Sequence, residues 1–185
     1  MQPFANLRDG GRQLADQLLA PSALEEFEFD QLEGITIAPI MPNGVPVALG
    51  MVDRLQSQPG PTIRLDPIEV QRTDEGVTVT AVPGTQNRVV VVVDDGVETG
   101  TAALAAGRAV RTTTGAVLGD PQLLLLLAVP VCPHQAMPEL ARVFDAVVAV
   151  HRPMARRNLT WHYLDFDVIN DEQARDLLAN VDTRT

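Results

Sequence analysis

The sequence contains no lysine. All 14 of its basic residues are arginine, set against 24 aspartates and glutamates, for a formal net charge of -10. That balance argues against broad nucleic-acid binding, which rests on cations neutralising phosphates. The missing lysine excludes a P-loop nucleotide site. A single cysteine, Cys132, excludes an internal disulfide framework and fits a reducing compartment. Flanked by apolar residues and prolines, it reads as a buried, inert thiol. The three histidines, His134, His151 and His162, show no metal-ligand spacing and read as surface or packing residues. The longest apolar run, Leu123 to Val131, is too short to span a bilayer and reads as a buried strand. The opening MQPFANLRDGG lacks the basic region and apolar run of a signal peptide, so the expected location is cytoplasmic, with neither membrane nor nucleic acid as partner.

What is present is enough for a sizeable core: 45% of 185 residues are apolar, which suits one domain over 1–185. Apolar residues at helical spacing predict a helix over 4–19 despite Gly10 and Gly11. GITIAPI (34–40) predicts a strand, followed by the turn Met41-Pro42-Asn43-Gly44 and a helix over 45–55. Alternating segments at 63–70 and 77–82, joined by the polar turn 72–76, predict a hairpin. Further strands are expected at 89–93, 123–129 and 146–150, and helices at 101–111, 135–143 and 171–180, the last with an N-cap at Asn170. Strands alternating with helices argue for an α/β fold with a central, mainly parallel sheet flanked by helices.

The most informative stretch is RVVVVVDDGVETGTA, from Arg88 to Ala102. Five valines in a row fit a strand buried on both faces. In open α/β sheets ligands bind beyond the carboxyl ends of the strands, and Asp94 and Asp95 stand at such an end. The segment Gly96, Val97, Glu98, Thr99, Gly100, Thr101 then leads into a helix, whose first N–H groups lack partners and favour an anion. Glycines permit close backbone approach, and the threonine hydroxyls add donors. From the residues alone, the stretch is either a phosphate cradle beside two carboxylates or an ordinary strand-to-helix turn capped by aspartates.

VVVVVDDGVETGTA resembles the phosphoribosyl-pyrophosphate (PRPP) motif of type I phosphoribosyltransferases: an apolar strand, two acidic residues, two variable positions, then a residue before Thr-Gly. The resemblance implies that Asp94 and Asp95 contact the ribose hydroxyls and that the loop from Gly96 to Ala102 holds the 5′-phosphate. It also sets Glu98 where some purine-specific members carry a catalytic aspartate. FANLRDGGRQLADQL, VPVALG and WHYLDFDVINDEQARDLL are similar to a subgroup of predicted phosphoribosyltransferases, so the likeness covers most of the chain. In that subgroup the late aromatic segment lies by the base and the metal, which implies base-side roles for Trp161 and Tyr163 and a metal role for Asp165. Core packing is an equal reading for the two aromatics.

One part of the pattern is broken. The subgroup's pyrophosphate loop reads Pro-Arg-Gly-Gly-Val-Pro, whereas here Met41-Pro42-Asn43-Gly44-Val45-Pro46 lacks the basic residue and one glycine. The segment between Leu55 and Arg88 is short for the usual hood, which leaves Arg64, Arg72, Arg156 and Arg157 as candidate cations. Arg152, Arg156 and Arg157 form the one basic cluster, compatible with a solvated loop, a phosphate contact or the interface of a homo-oligomer. The resemblance thus implies a type I phosphoribosyltransferase-like fold with a reduced hood. It implies Mg²⁺-dependent transfer of a phosphoribosyl group from PRPP to a nitrogenous base with release of pyrophosphate. The altered loop sets against this a non-catalytic module binding PRPP or a nucleoside monophosphate.

Overall fold

In a computed structural model of the chain, the five valines form the centre of the molecule. The structure describes residues 2–20, 32–74, 76–84 and 86–181. A five-stranded, wholly parallel sheet contains β1 (Gly34–Pro39), β2 (Thr62–Leu65), β5 (Val89–Val93), β6 (Leu124–Val131) and β7 (Ala146–His151) in the order β2-β1-β5-β6-β7. Val89, Val91 and Val93 pack with Ile35, Ile37 and Leu126 beneath α1 (Leu7–Leu19) and α2 (Gly44–Leu55). Val90 and Val92 face the other way, with Leu125, Leu127 and Val129, beneath α3 (Thr101–Thr114) and α4 (Met137–Leu140). All five valines are buried, each contributing about 1.5–3 kcal/mol of transfer free energy as an upper estimate. A polar residue anywhere in this strand would therefore face a core.

Several expected boundaries move, each for a local reason. The first helix starts at Leu7 rather than residue 4, because the Asn6 side chain accepts from the Asp9 N–H and caps it. Phe4 instead pairs by its backbone with the segment at Tyr163 and buries its ring. The alternating segment 63–70 is not one strand. β2 joins the main sheet beside β1, the chain breaks at Asp66-Pro67, and β3 (Glu69–Thr73) then forms an antiparallel hairpin with β4 (Gly76–Ala81). Pro67 brings no N–H to a ladder, which is why the run divides there. Glu75 of the expected turn lies outside the described residues. The helix expected over 135–143 shrinks to a 3-10 turn at His134–Ala136 and the single turn α4. The last helix, α5 (Asp171–Ala179), has the expected cap: the Asn170 side chain accepts from the Gln173 N–H, and the Gln173 side chain accepts from the Asn170 N–H.

The two ends of the sheet differ in character. At the amino end of β7, Asp145 accepts from the Arg111 guanidinium at 2.9 Å, the Leu125 N–H at 2.7 Å and the Gly119 N–H at 2.8 Å. This ion pair is mostly buried and well hydrogen-bonded, so it fastens α3 to the sheet. The carboxyl ends carry the loops that follow β1 and β5, and the β3–β4 hairpin leans over them against α3. The chain leaves β1 toward β2 on one side, while β5, β6 and β7 build outward on the other. The strand order therefore reverses between β1 and β5, the position where open α/β sheets leave a crevice. Among the described residues no helix is long and apolar enough to cross a membrane.

Candidate functional site

A cleft of about 540 Å³ opens at that reversal point. Its floor is the loop after β5 and the first turn of α3, one wall is the loop after β1, and the tip of the β3–β4 hairpin forms the roof. Every residue from Asp94 to Thr101 lines it, and so do Met41, Pro42 and Asn43. Gly44 does not. It packs so closely under β5 that a Cβ there would stand 2.6 Å from the Val93 carbonyl oxygen.

Asp94 is buried and Asp95 half-buried. The Asp94 carboxylate accepts from the Asp95 N–H at 2.9 Å, and the Asp95 carboxylate accepts from the Asn43 amide at 3.1 Å. Burial pushes the Asp94 carboxyl well above the usual carboxylate range, and the neighbouring Asp95 charge adds to the rise. Asp95 is also raised by burial, against which the Asn43 and Asp94 hydrogen bonds act. Arg72, on the hairpin, lines the cleft opposite the pair and favours the charged form of both.

A carboxyl raised on folding binds its proton more tightly in the native state than in the unfolded chain. Stability therefore rises as pH falls through the native pKa, levels off below the unfolded value, and is weakest above the native pKa. Asp94→Asn should accordingly raise Tm at pH 7.5 and flatten the rise of Tm between pH 7.5 and 4, as followed by thermal unfolding. A lowered Tm with unchanged pH dependence would contradict this.

The loop beyond the carboxylates is shaped for close approach to its backbone. Gly100, at φ 83°, is the N-cap of α3 and has no side chain to cap it; the first helical N–H, on Thr101, makes only a long bond of 3.4 Å to the Thr99 hydroxyl. The Thr99 and Thr101 hydroxyls lie 3.0 Å apart at its mouth, both on exposed residues. An uncapped helix start with adjacent hydroxyls offers donors and partial positive charge to an anion. The Glu98 carboxylate lines the cleft and accepts from the Leu159 N–H at 3.0 Å, which joins the loop to the segment before Tyr163.

The facing loop, 41–46, has few free donors. The Met41 N–H donates to Ile68 O at 3.0 Å, Gly44 N–H to Ile40 O at 2.9 Å and Val45 N–H to Pro42 O at 3.1 Å. Pro42 and Pro46 have no N–H at all. Among the described residues, that leaves the Asn43 N–H as the one backbone donor of 41–46 without a partner. Asn43 also accepts from the Ile169 N–H at 3.2 Å, so its side chain ties this loop both to Asp95 and to the segment entering α5.

The other candidate residues lie apart from the cleft. Trp161 is 74% exposed, and Asp165 is exposed with its N–H on Ala5 O; neither lines the cleft. Tyr163 is buried behind the floor, and its hydroxyl donates to the Asp95 carbonyl at 2.6 Å. It supports the carboxylate loop from below. Of the four candidate arginines, Arg72 alone lines the cleft. Arg64 pairs with Asp66 at 3.1 Å, Arg152 donates to Val147 O, and Arg156 and Arg157 are exposed. Cys132 is buried and its thiol is pushed up to about 11 by burial, as expected of an inert core thiol. His162 is buried and His151 partly so, beside Phe4, whose ring stacks on His151 at 4.4 Å; burial holds both histidines below their usual pKa. Among the described residues no group of three or more His, Cys, Asp or Glu is assembled to hold a metal ion.

Asn158 and Leu159 line the cleft from outside the motif segments, and Phe166 lines it from within the late aromatic segment. Phe166 ends the aromatic stretch that drew attention to Trp161 and Tyr163. The tie of Leu159 to Glu98 spans 61 positions and has no local signal.

No protein-family model matches the chain. In structure the chain is similar to TT1426 of Thermus thermophilus, at 24% identity and a TM-score of 0.68, over 96% of this chain and 98% of that one. It is similar to the AQ2163 protein of Aquifex aeolicus at 15% identity and a TM-score of 0.56, over 89% and 76% of the two chains. A hypoxanthine phosphoribosyltransferase of Trypanosoma cruzi, solved with its product IMP, matches at 16% identity and a TM-score of 0.52, over 80% and 74%. These are likenesses of fold, and the fold they share with this chain, a parallel sheet flanked by helices, is phosphoribosyltransferase-like.

Proposed function

We propose that the cleft binds a 5-phosphorylated ribose and that the chain is a phosphoribosyltransferase acting on PRPP and a nitrogenous base. The observation that carries this reading is one juxtaposition. The Asp94–Asp95 pair and the uncapped start of α3 stand within one loop, at the point where the strand order reverses. In this reading the loop from Gly96 to Thr101 holds the 5′-phosphate through backbone N–H groups and the Thr99 and Thr101 hydroxyls. Asp94 and Asp95 accept hydrogen bonds from the ribose hydroxyls. Displacement at C1 develops positive charge on the sugar, which the carboxylates below it stabilise, while Arg72 faces the departing anion. Glu98 stands at the mouth, where it can take a proton from an incoming base.

The donor set fits Mg²⁺ only in part. Two hard carboxylates suit this cation, which is commonly held by one or two such groups with phosphate oxygens and water completing the shell. Asp94 and Asp95 would hold it, and Asp165, which does not line the cleft, is no part of that set in the described arrangement. When bound, the cation would supply charge neutralisation to the pyrophosphate.

A second reading is favoured by the loop 41–46, whose backbone donors are mostly committed or absent. It is a binding module that keeps the ribose 5-phosphate site and handles pyrophosphate poorly.

Calorimetry with ribose 5-phosphate, nucleoside monophosphates and PRPP–Mg²⁺, followed by a pyrophosphate-release assay with candidate bases, tests both readings. Asp95→Asn keeps shape and removes charge, so it should weaken ribose 5-phosphate binding by about 1.5–3 kcal/mol, roughly 10- to 150-fold in Kd. Its Tm should not fall, because the charge removed is one that burial disfavours. A large loss of Tm with unchanged binding would mean that Asp95 only caps the loop.

A further inference from the structure

We propose that Asn43 sets a preference for ribose over 2-deoxyribose, by holding the Asp95 carboxylate in the orientation that meets a vicinal diol. The inference rests on the reading in which the Asp94–Asp95 pair receives the sugar. A carboxylate at the end of an aspartate turns freely about its last torsion, which has no sharp preferred angle. Something must fix its plane if two of its lone-pair directions are to meet two hydroxyls at once. In this chain Asp95 is held at both ends. Its carbonyl accepts from the Tyr163 hydroxyl at 2.6 Å, and its carboxylate accepts from the Asn43 amide at 3.1 Å.

The Asn43 amide is itself fixed, because its oxygen accepts from the Ile169 N–H at 3.2 Å. An N–H donor on one side and a carboxylate on the other leave one assignment of the amide that satisfies both, so the donor faces Asp95. Asn43 and Asp95 both line the cleft and both are half-buried, so the contact lies at the ligand surface. A carboxylate has about four acceptor positions, and Asn43 takes one of them. The others remain in a plane that Asn43 sets.

The two hydrogen bonds of Asn43 separate under substitution. Asn43→Asp keeps an oxygen for the Ile169 N–H and removes the donor to Asp95. Asn43→Ala removes both. Calorimetry with ribose 5-phosphate and with 2-deoxyribose 5-phosphate reads the preference directly, and the Tm of each variant reads the fold. The natural chain should prefer ribose 5-phosphate by about tenfold or more, the weight of one hydrogen bond to a charged group. In both variants the preference should fall to within about twofold of unity, because the diol loses its fixed partner while the phosphate loop is untouched. The extra negative charge of Asn43→Asp weakens both phosphates alike, so the ratio remains the readout.

Variants that bind both sugars more weakly while keeping the ratio would overturn the inference and leave Asn43 a loop-shaping residue. A natural chain that binds both sugars equally, or binds neither, would instead overturn the assignment of the carboxylates to the ribose. The two failures are thus told apart by which protein shows them.

Discussion

Gly11→Ala is expected to lower Tm by roughly 5–10 °C, which for a chain of this size corresponds to about 2–3 kcal/mol. The added Cβ would stand 2.0 Å from the Val47 carbonyl oxygen and 2.9 Å from its carbon, both backbone atoms of α2. Gly50 meets α1 in the same way, with a Cβ 2.0 Å from the Arg8 carbonyl oxygen. The two helices therefore touch backbone to backbone at a glycine from each, and neither contact can relax by rotating a side chain. Alanine would gain about 1 kcal/mol of helix propensity over glycine. Overpacking against rigid backbone costs about 1–3 kcal/mol and sometimes more. Here the overlap is near 1 Å inside the closest spacing real Cβ atoms show, so the cost wins. Gly84, whose Cβ would meet nothing nearer than 3.6 Å, is the matched control and should tolerate alanine. Once one substitution has pushed the helices apart, the second meets less resistance, so Gly11→Ala and Gly50→Ala should be less than additive. Thermal unfolding of the two single variants, the double and the control measures all of this. An unchanged Tm for Gly11→Ala would show that the helices are not in backbone contact.

These glycines mark the boundary of what the sequence could disclose. Gly10 and Gly11 read locally as weak points in a helix, and the use of Gly11 depends on a partner helix far along the chain. The valine strand was legible because five buried residues in a row leave one structural role, and its two faces pack as a parallel strand requires. The run 63–70 was misleading because alternation continues across Pro67, so periodicity alone cannot see where one sheet ends and a hairpin begins. Asn170 was legible because a capping box is local, complete between Asn170 and Gln173.

The same division runs through the cleft. The loop from Asp94 to Thr101 could be located because its carboxylates, glycines and hydroxyls are contiguous and stand at a strand end. Asn43 could be seen only as a residue where a glycine was wanted, since its partners Asp95 and Ile169 lie 52 and 126 positions away. Arg72 was one of four candidate cations, and only the placement of the hairpin over the cleft singles it out. Tyr163 and Trp161 had equal standing as aromatics; burial separates them, one behind the floor and the other in solvent.

On the binding-module reading, PRPP is expected to bind within about tenfold of ribose 5-phosphate, a difference below about 1.4 kcal/mol. A pyrophosphate group carries several negative charges and is normally met by backbone N–H groups and cations, each charge-assisted hydrogen bond contributing about 1.5–3 kcal/mol. A loop with three free amides would thus favour PRPP by roughly a thousandfold or more. In this chain the Met41, Gly44 and Val45 N–H groups are bonded to backbone carbonyls, and Pro42 and Pro46 have none. What attraction remains comes from the Asn43 N–H, free among the described residues, and from Arg72, an exposed side chain whose charge is screened by solvent. Arg72→Ala should therefore reduce PRPP affinity by several-fold, on the order of one exposed charge pair, and leave ribose 5-phosphate nearly unaffected. Pro42→Arg adds a cation at the loop and should raise PRPP affinity selectively. Turnover with common purines and pyrimidines should be slow in the pyrophosphate-release assay, because the departing group meets little stabilisation. If instead PRPP binds more than about a hundredfold tighter than ribose 5-phosphate and turnover is brisk, the binding-module reading fails. The loop must then free its amides when ligand arrives. The first place to look would be the hydrogen bond from Val45 to Pro42, because it closes inside the loop itself and holds no other element in place.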